Sequence, residues 1–158
     1  MGIFGSGIGK SGLLVEDIDS DGVAEIVAGG STSTFGANNF WYVLEYLSEE
    51  DGYSMRWISN LYIQGISCIE IIDFDDNGIF EILVGLSDGS VDIYDGSNLR
   101  KIYTINSPAS SINRILFADG DNDSIDEILF CDDSDTFFYD VENFTLEHVI
   151  PYGADDVE

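Results

Sequence analysis

The chain has 158 residues, of which 44% are hydrophobic, so it is long enough for one domain with its own core. It carries 31 acidic and only 5 basic residues, for a formal net charge of -26. A surface of that charge repels phosphate backbones and anionic lipid headgroups, which argues against binding to nucleic acid or to a membrane surface. No apolar run approaches the roughly 18 residues that a membrane span requires.

The first residues, Met1 to Gly5, lack the basic and apolar regions of a signal peptide, so the sequence predicts none here. Such an abrupt start suggests a piece of a longer protein. The two cysteines, Cys68 and Cys131, are compatible with one disulfide, but two small buried side chains are the favoured interpretation.

Internal repetition is the main signal in the sequence. Three segments align without gaps from Asp17, Asp73 and Asp119, and these starting points lie 56 and 46 residues apart. Propeller blades repeat at roughly 40 to 50 residues, so the spacing predicts three blades in one unit that spans 1–158. The predicted blades cover about 11–64, 65–110 and 111–152.

In chain order, the first repeat has an apolar run at 13–15 before its aspartates and extra residues of loop-like composition at 31–39 and 48–52. The second repeat has apolar runs at 69–72 and 82–84, a hairpin signal at 87–90, an alternating run at 91–94 and a strand around 102–104. The third repeat has the same order of strands in fewer residues, at 115–117, around Phe130, at 137–139 and at 145–150. Each repeat therefore predicts four short antiparallel strands, with the aspartate loop between the first and second.

These repeats predict an all-β fold of three four-stranded propeller blades. Because propellers usually close with four to eight blades, three blades leave sheet faces that require a neighbour. We therefore expect half of a six-bladed ring, completed by a second copy as a homodimer, or a fragment of a longer propeller whose remaining blades belong to the parent chain.

Each aspartate loop offers oxygen side chains at positions 1, 3 and 5 and a carboxylate at position 9, a set of hard ligands that suits calcium. The side-chain ligands predicted are Asp17, Asp19, Asp21 and Glu25; Asp73, Asp75, Asn77 and Glu81; and Asp119, Asp121, Asp123 and Glu127. The carbonyl oxygens of Val23, Ile79 and Ile125 at position 7 are expected to complete the three shells. Gly22 and Gly78 at position 6 permit the left-handed backbone of a sharp turn.

An EF-hand and a metal-free turn are the two alternatives for these loops. An EF-hand needs a bidentate glutamate at position 12 and flanking helices, but position 12 is Ala28, Val84 or Phe130 and the flanks are strand-like. Asp, Asn and Gly also form turns without any metal, yet three loops in register with a glutamate at the same offset are not a turn accident. The third loop matches least well, because Ser124 replaces the glycine and Gly120 replaces the apolar residue at position 2. The sequence predicts up to three calcium ions, which would offset only six of the 26 net negative charges.

The runs Asp17 to Gly30 and Asp73 to Gly85 resemble the FG-GAP and VCBS repeats of calcium-binding propellers, including that of the integrin α-subunit. The resemblance covers nearly the whole chain, although the Phe-Gly and Gly-Ala-Pro landmarks are absent and Cys131 replaces the glycine found at Gly29 and Gly85. It implies calcium in the loop between the first two strands of each blade. It also implies an extracellular, periplasmic or cell-surface location and a role in binding or adhesion.

The leading functional interpretation is a non-catalytic binding scaffold stiffened by calcium, with a protein or carbohydrate partner. Aromatic residues at Phe35, Phe40, Trp41 and Trp57 are candidates for the partner surface, with burial between blades as the alternative. A portion of a secreted polysaccharide-active enzyme, such as a lyase, or a lectin is the other interpretation. No catalytic residues are predicted, and the single histidine, His148, is assigned a structural role on a probable strand. The acids outside the loops form either a solvated coat of the kind that saline habitats favour or a surface for a basic partner.

Overall fold

The strands form where short apolar or alternating runs lie between turn-forming residues, as the repeats predict. The computed structural model describes residues 12–30, 39–49 and 51–153. In the described residues the strands form three four-stranded antiparallel sheets, each with its strands paired in chain order. The strands of the first sheet are β1 Leu13–Glu16, β2 Glu25–Gly30, β3 Phe40–Leu47 and β4 Gly52–Ile58; those of the second are β5 Ile66–Ile72, β6 Glu81–Leu86, β7 Ser90–Asp95 and β8 Lys101–Asn106; those of the third are β9 Arg114–Ala118, β10 Glu127–Cys131, β11 Thr136–Tyr139 and β12 Leu146–Ile150.

This architecture confirms the all-β prediction of three propeller blades. The middle blade contributes one face to each of two cores, because successive residues of a strand point to opposite faces of the sheet. Ile82 and Val84 lie in one cluster with residues of the first blade, and Leu83 lies in a second cluster with residues of the third blade. All three side chains are fully buried.

The buried seam between the first and second blades is rich in aromatic residues. Trp41 is fully buried there, and its ring centroid lies 4.4 Å from that of Trp57 and 4.9 Å from that of Tyr94. The proposal of Trp41 as a partner-facing residue is therefore wrong, because its indole fills the core between two sheets. Trp57 and Phe40 are half-buried, and Phe35 lies outside the described residues.

Two further features bear on the sequence predictions. Cys68 and Cys131 are both buried and are not joined by a disulfide bond, and Cys68 lies in the core between the second and third blades. In the described ranges, no helix is long and apolar enough to cross a membrane.

Candidate metal centres

The three aspartate loops occupy the same place in each blade, between its first and second strands. Loop 1 (17–24) joins β1 to β2, loop 2 (73–80) joins β5 to β6, and loop 3 (119–126) joins β9 to β10. Loops 1 and 2 touch across the blade seam, where the Phe80 amide donates to the Ile18 carbonyl at 3.2 Å and the Ser20 hydroxyl donates to the Gly78 carbonyl. The two loops are therefore in direct contact.

Within each loop the first aspartate organises the backbone. In loop 1, Asp17 Oδ1 accepts from the Asp21 amide at 3.0 Å and Asp17 Oδ2 accepts from the Gly22 amide at 2.8 Å. The same two contacts recur at Asp73 and at Asp119 in the other loops. This shared pattern shows that the three loops have one local fold, which requires an acceptor side chain at position 1.

Two backbone positions in each loop are left-handed. The glycines at position 6 have φ values of 92° at Gly22 and 84° at Gly78, as the sequence predicts. Ser124 takes the same conformation in loop 3 with φ of 78°, so a side chain is accommodated there at a conformational cost. Position 4 is also left-handed, at Ser20, Asp76 and Asn122, a requirement that the sequence reasoning missed although Asn and Asp tolerate it well.

Three predicted carboxylates converge in loop 1, three in loop 2 and four in loop 3, and Asp21 of loop 1 is not in its cluster. Carboxylate oxygens lie within 4.8 Å of one another for Asp17, Asp19 and Glu25; for Asp73, Asp75 and Glu81; and for Asp119, Asp121, Asp123 and Glu127. Loop 3, the weakest match by sequence, therefore brings together the largest number of carboxylates. At position 5, Asp21 and Asn77 accept through Oδ1 from the amides of Val23 and Ile79 at 2.8 and 2.6 Å, and Asp123 does the same for Ile125 at 2.8 Å.

The glutamate at position 9 is the buried member of each set. Glu25, Glu81 and Glu127 are 0%, 4% and 1% exposed, and each accepts through Oε2 from the amide at position 2 of its own loop. Burial raises the pKa of all three carboxyls, against the lowering effect of that hydrogen bond, and raises the pKa of Glu81 to about 7. Neighbouring loop aspartates add to the rise. A buried carboxylate under these conditions favours a nearby cation.

Loop 1 provides a direct test of whether a cation fits. Oε1 of Glu25 is buried and has no hydrogen-bond partner, although its other oxygen is bound by the Ile18 amide. Buried acceptors are rarely left in this state, and Arg56 Nη1 at 3.6 Å is too distant for a hydrogen bond, so the atom can still accept an ion. The convergent oxygens of this loop are the hard donors that calcium prefers, and the residues present therefore fit that ion.

Two basic side chains reach the loops from the fourth strand of a blade. Arg56 on β4 approaches loop 1, where its Nη2 lies 2.7 Å from Asp19 Oδ2 and its Nη1 lies 3.6 Å from Glu25 Oε1. His148 on β12 approaches loop 3, with Nε2 at 3.1 Å from Asp121 Oδ2. Among the described residues, no basic side chain makes such a contact with loop 2. The sequence reasoning missed both contacts, because strand pairing across the blade, and not proximity in the chain, creates them.

A separate cleft of about 400 Å³ lies along the seam between the first and second blades. Trp57, Tyr62 and Tyr94 line it, and the two tyrosine hydroxyls are 2.5 Å apart. Asp92, also in the lining, is 4% exposed and accepts from Thr104 Oγ1 at 2.6 Å and from Lys101 Nζ at 3.2 Å. Aromatic faces beside a fixed carboxylate are typical of small polar-ligand sites.

Comparison with solved structures supports the propeller architecture. The chain resembles BBS1N, as seen in its complex with ARL6DN in crystals soaked with lead and with mercury. The TM-scores are 0.51 and 0.56 at 11% and 13% identity, and the alignments cover 93% and 94% of this chain. The chain spans 57% and 55% of the length of those two structures. No protein-family model and no curated protein matches the sequence. At this level of identity the similarity establishes the fold alone.

Proposed function

We propose that this chain is a calcium-binding β-propeller module that acts as a non-catalytic binding or adhesion scaffold, related to the FG-GAP and VCBS repeats. The observation that carries the proposal is the repeated site: in each blade a buried glutamate meets converging aspartates in the same loop. Charges arranged in this way repel one another unless a cation lies among them. Calcium would supply that charge and cross-link the start of β2, β6 or β10 to its loop.

Calcium titration by isothermal calorimetry after EDTA treatment tests this proposal. We expect up to three ions to bind, and Glu81→Ala to abolish binding at one site. Glu142→Gln is the matched control, because Glu142 is exposed and lies outside the loops, so it should leave the number of sites unchanged. Full calcium binding by Glu81→Ala would show that the loop acids are not the ligands.

The proposed calcium sites also suggest where the protein is located. Extracellular calcium is present at levels that fill sites of roughly 10⁻⁴ to 10⁻³ M affinity, so we infer an extracellular, periplasmic or cell-surface location. Dissociation constants far below that range, comparable with those of cytosolic calcium buffers, would contradict it.

The partner of the scaffold is inferred from one exposed surface and from one comparison. The outer face of the first blade exposes Leu13 and Val15 at 58% and 61%, which suits a further blade from a second copy or from a longer parent chain. Sedimentation of the chain over a range of concentrations separates these, since only the homodimer depends on concentration. BBS1N is a propeller bound to another protein, ARL6DN, which supports a protein partner for the completed ring.

Carbohydrate binding is the second candidate function, and the seam cleft favours it. Trp57 and Tyr62 offer aromatic faces for stacking against a sugar, and Asp92 offers an acceptor beside them. Glycan-array binding without turnover would indicate a lectin, and cleavage of a bound polysaccharide would indicate an enzyme. Trp57→Ala should reduce glycan binding without changing calcium binding.

A further inference from the structure

Arg56 distinguishes the first loop from the second. Its guanidinium lies against two of the three converging carboxylates of loop 1, at 2.7 Å from Asp19 and 3.6 Å from Glu25. Its side chain is 20% exposed, and Glu25 is fully buried. The charge is therefore held close to the position where the loop oxygens would hold an ion.

The contact between Arg56 and Glu25 is incomplete. Nη1 of Arg56 and Oε1 of Glu25 are both buried and both lack a hydrogen-bond partner, although they face each other at 3.6 Å. The ion pair thus balances the charge of Glu25 without satisfying its oxygen. An arrangement of this kind holds the loop together and still leaves one buried oxygen of Glu25 without a hydrogen bond.

Arg56 also reaches the second blade. Its Nη2 donates to the Ser97 carbonyl at 3.3 Å, in the turn between β7 and β8. The neighbouring Gly96 amide donates to the Phe80 carbonyl at 2.9 Å, and Phe80 is the residue that binds loop 1 through Ile18. One side chain therefore connects the first loop, the adjacent turn and the blade seam.

We propose that Arg56 is a built-in counter-cation of loop 1, which makes this loop the weaker of the first two calcium sites. The inference rests on the calcium-binding function proposed above. Calcium entering loop 1 must displace or approach a fixed positive charge, whereas calcium entering loop 2 meets none among the described residues. A unit charge a few ångströms from a divalent ion disfavours binding by about tenfold or more, even at a water-like dielectric constant.

The proposal predicts an order of occupancy that NMR resolves loop by loop. The amides of Gly22 and Gly78 occupy the same position in loops 1 and 2, so each reports calcium in its own loop. In the wild-type chain, the Gly78 signal should change at about tenfold lower calcium than the Gly22 signal. In Arg56→Met, the midpoint for Gly22 should move down by about tenfold and approach that of Gly78.

Lys101→Met is the matched control, because it removes one positive charge that pairs with Asp92 and not with a loop. It should leave both midpoints within about twofold of the wild type. Arg56→Lys retains the charge on a shorter chain and should give an intermediate midpoint, which keeps the test available if Arg56→Met does not fold.

Each result decides a different claim. Gly22 responding together with Gly78 or before it in the wild type, or an unmoved Gly22 midpoint in Arg56→Met, would overturn the role of Arg56. Absence of any response at Gly22, Gly78 and Ser124 would instead remove the calcium-binding function on which that role depends.

Discussion

Aligned residues of the three blades differ in solvent exposure, because some lie on a face that another blade covers and others lie on an outer face. Aligned on their loops, Leu13 of β1, Ile69 of β5 and Ile115 of β9 occupy one position. Ile69 and Ile115 are each 1% exposed because another blade lies over them, whereas Leu13 is 58% exposed. An apolar residue at this position is therefore typical of a face that packs against a neighbouring sheet, and Leu13 has no such sheet over it among the described residues.

The third blade presents the opposite half of such a seam. Leu116 on β9 is 48% exposed, and it aligns with Leu14, which packs against the core between the first and second blades. The two outer faces of the unit thus carry the two kinds of surface that meet at the seam between the first and second blades, whereas Glu70 holds the position of Leu14 in the middle blade. The sequence of each repeat therefore specifies the surface that packs against a neighbouring blade as well as the strands of its own sheet.

The largest difference between the faces should appear on truncating equivalent residues. Ile69→Ala removes a side chain held between two sheets and should lower the free energy of unfolding by about 2 to 5 kcal/mol. Leu13→Ala at the equivalent exposed position should change it by about 0.5 kcal/mol or less. Urea denaturation of the two variants measures both values. Equal losses would mean that the outer face of the first blade is covered in the isolated chain.

A smaller loss is expected at Gly85 on β6, where one side chain of its own blade and one of the third blade both lie close to the backbone. A Cβ at Gly85 would lie 2.6 Å from Cys68 Sγ and 2.7 Å from Ile112 Cγ2, so Gly85→Ala should cost about 1 to 3 kcal/mol. Cys131 occupies the equivalent position in the third blade, where no further blade follows among the described residues. Thermal unfolding of Gly85→Ala tests this account, and an unchanged midpoint would contradict the close approach.

The smallest effect concerns Glu70, a half-buried residue on β5. Burial raises the pKa of its carboxyl, partly opposed by a hydrogen bond from the Ile71 backbone and by the charge of Arg114 on the third blade. The folded state therefore favours the protonated form, so the carboxylate costs stability at neutral pH and that cost fades as pH falls through the raised pKa. Glu70→Gln should be more stable than the wild type at pH 7 by about 0.5 kcal/mol or less, and the difference should shrink by pH 4. Urea denaturation at both pH values measures this, and a loss of stability at pH 7 would show that the attraction to Arg114 outweighs burial.

The strands and loops within each repeat were predicted correctly, because local sequence patterns determine them. The three loops in register placed a strand on each side, and the hairpin signal at 87–90 correctly separated β6 from β7. The sequence left burial and exposure of Trp41 as alternatives and missed the approach of Arg56 to loop 1, because both depend on which strands and blades lie side by side. The glycine at Gly85 and the cysteine at Cys131 looked like a departure from a pattern, but the presence or absence of a following blade accounts for it.

We propose that the three loops are structural calcium sites, and thermal unfolding is the first experiment to carry out. The EDTA-treated chain should melt at a temperature that rises steadily with added calcium and responds much less to magnesium, because an ion that binds only the folded state stabilises it by mass action. A melting temperature that is unchanged by calcium would contradict the account and reduce the loops to metal-free turns.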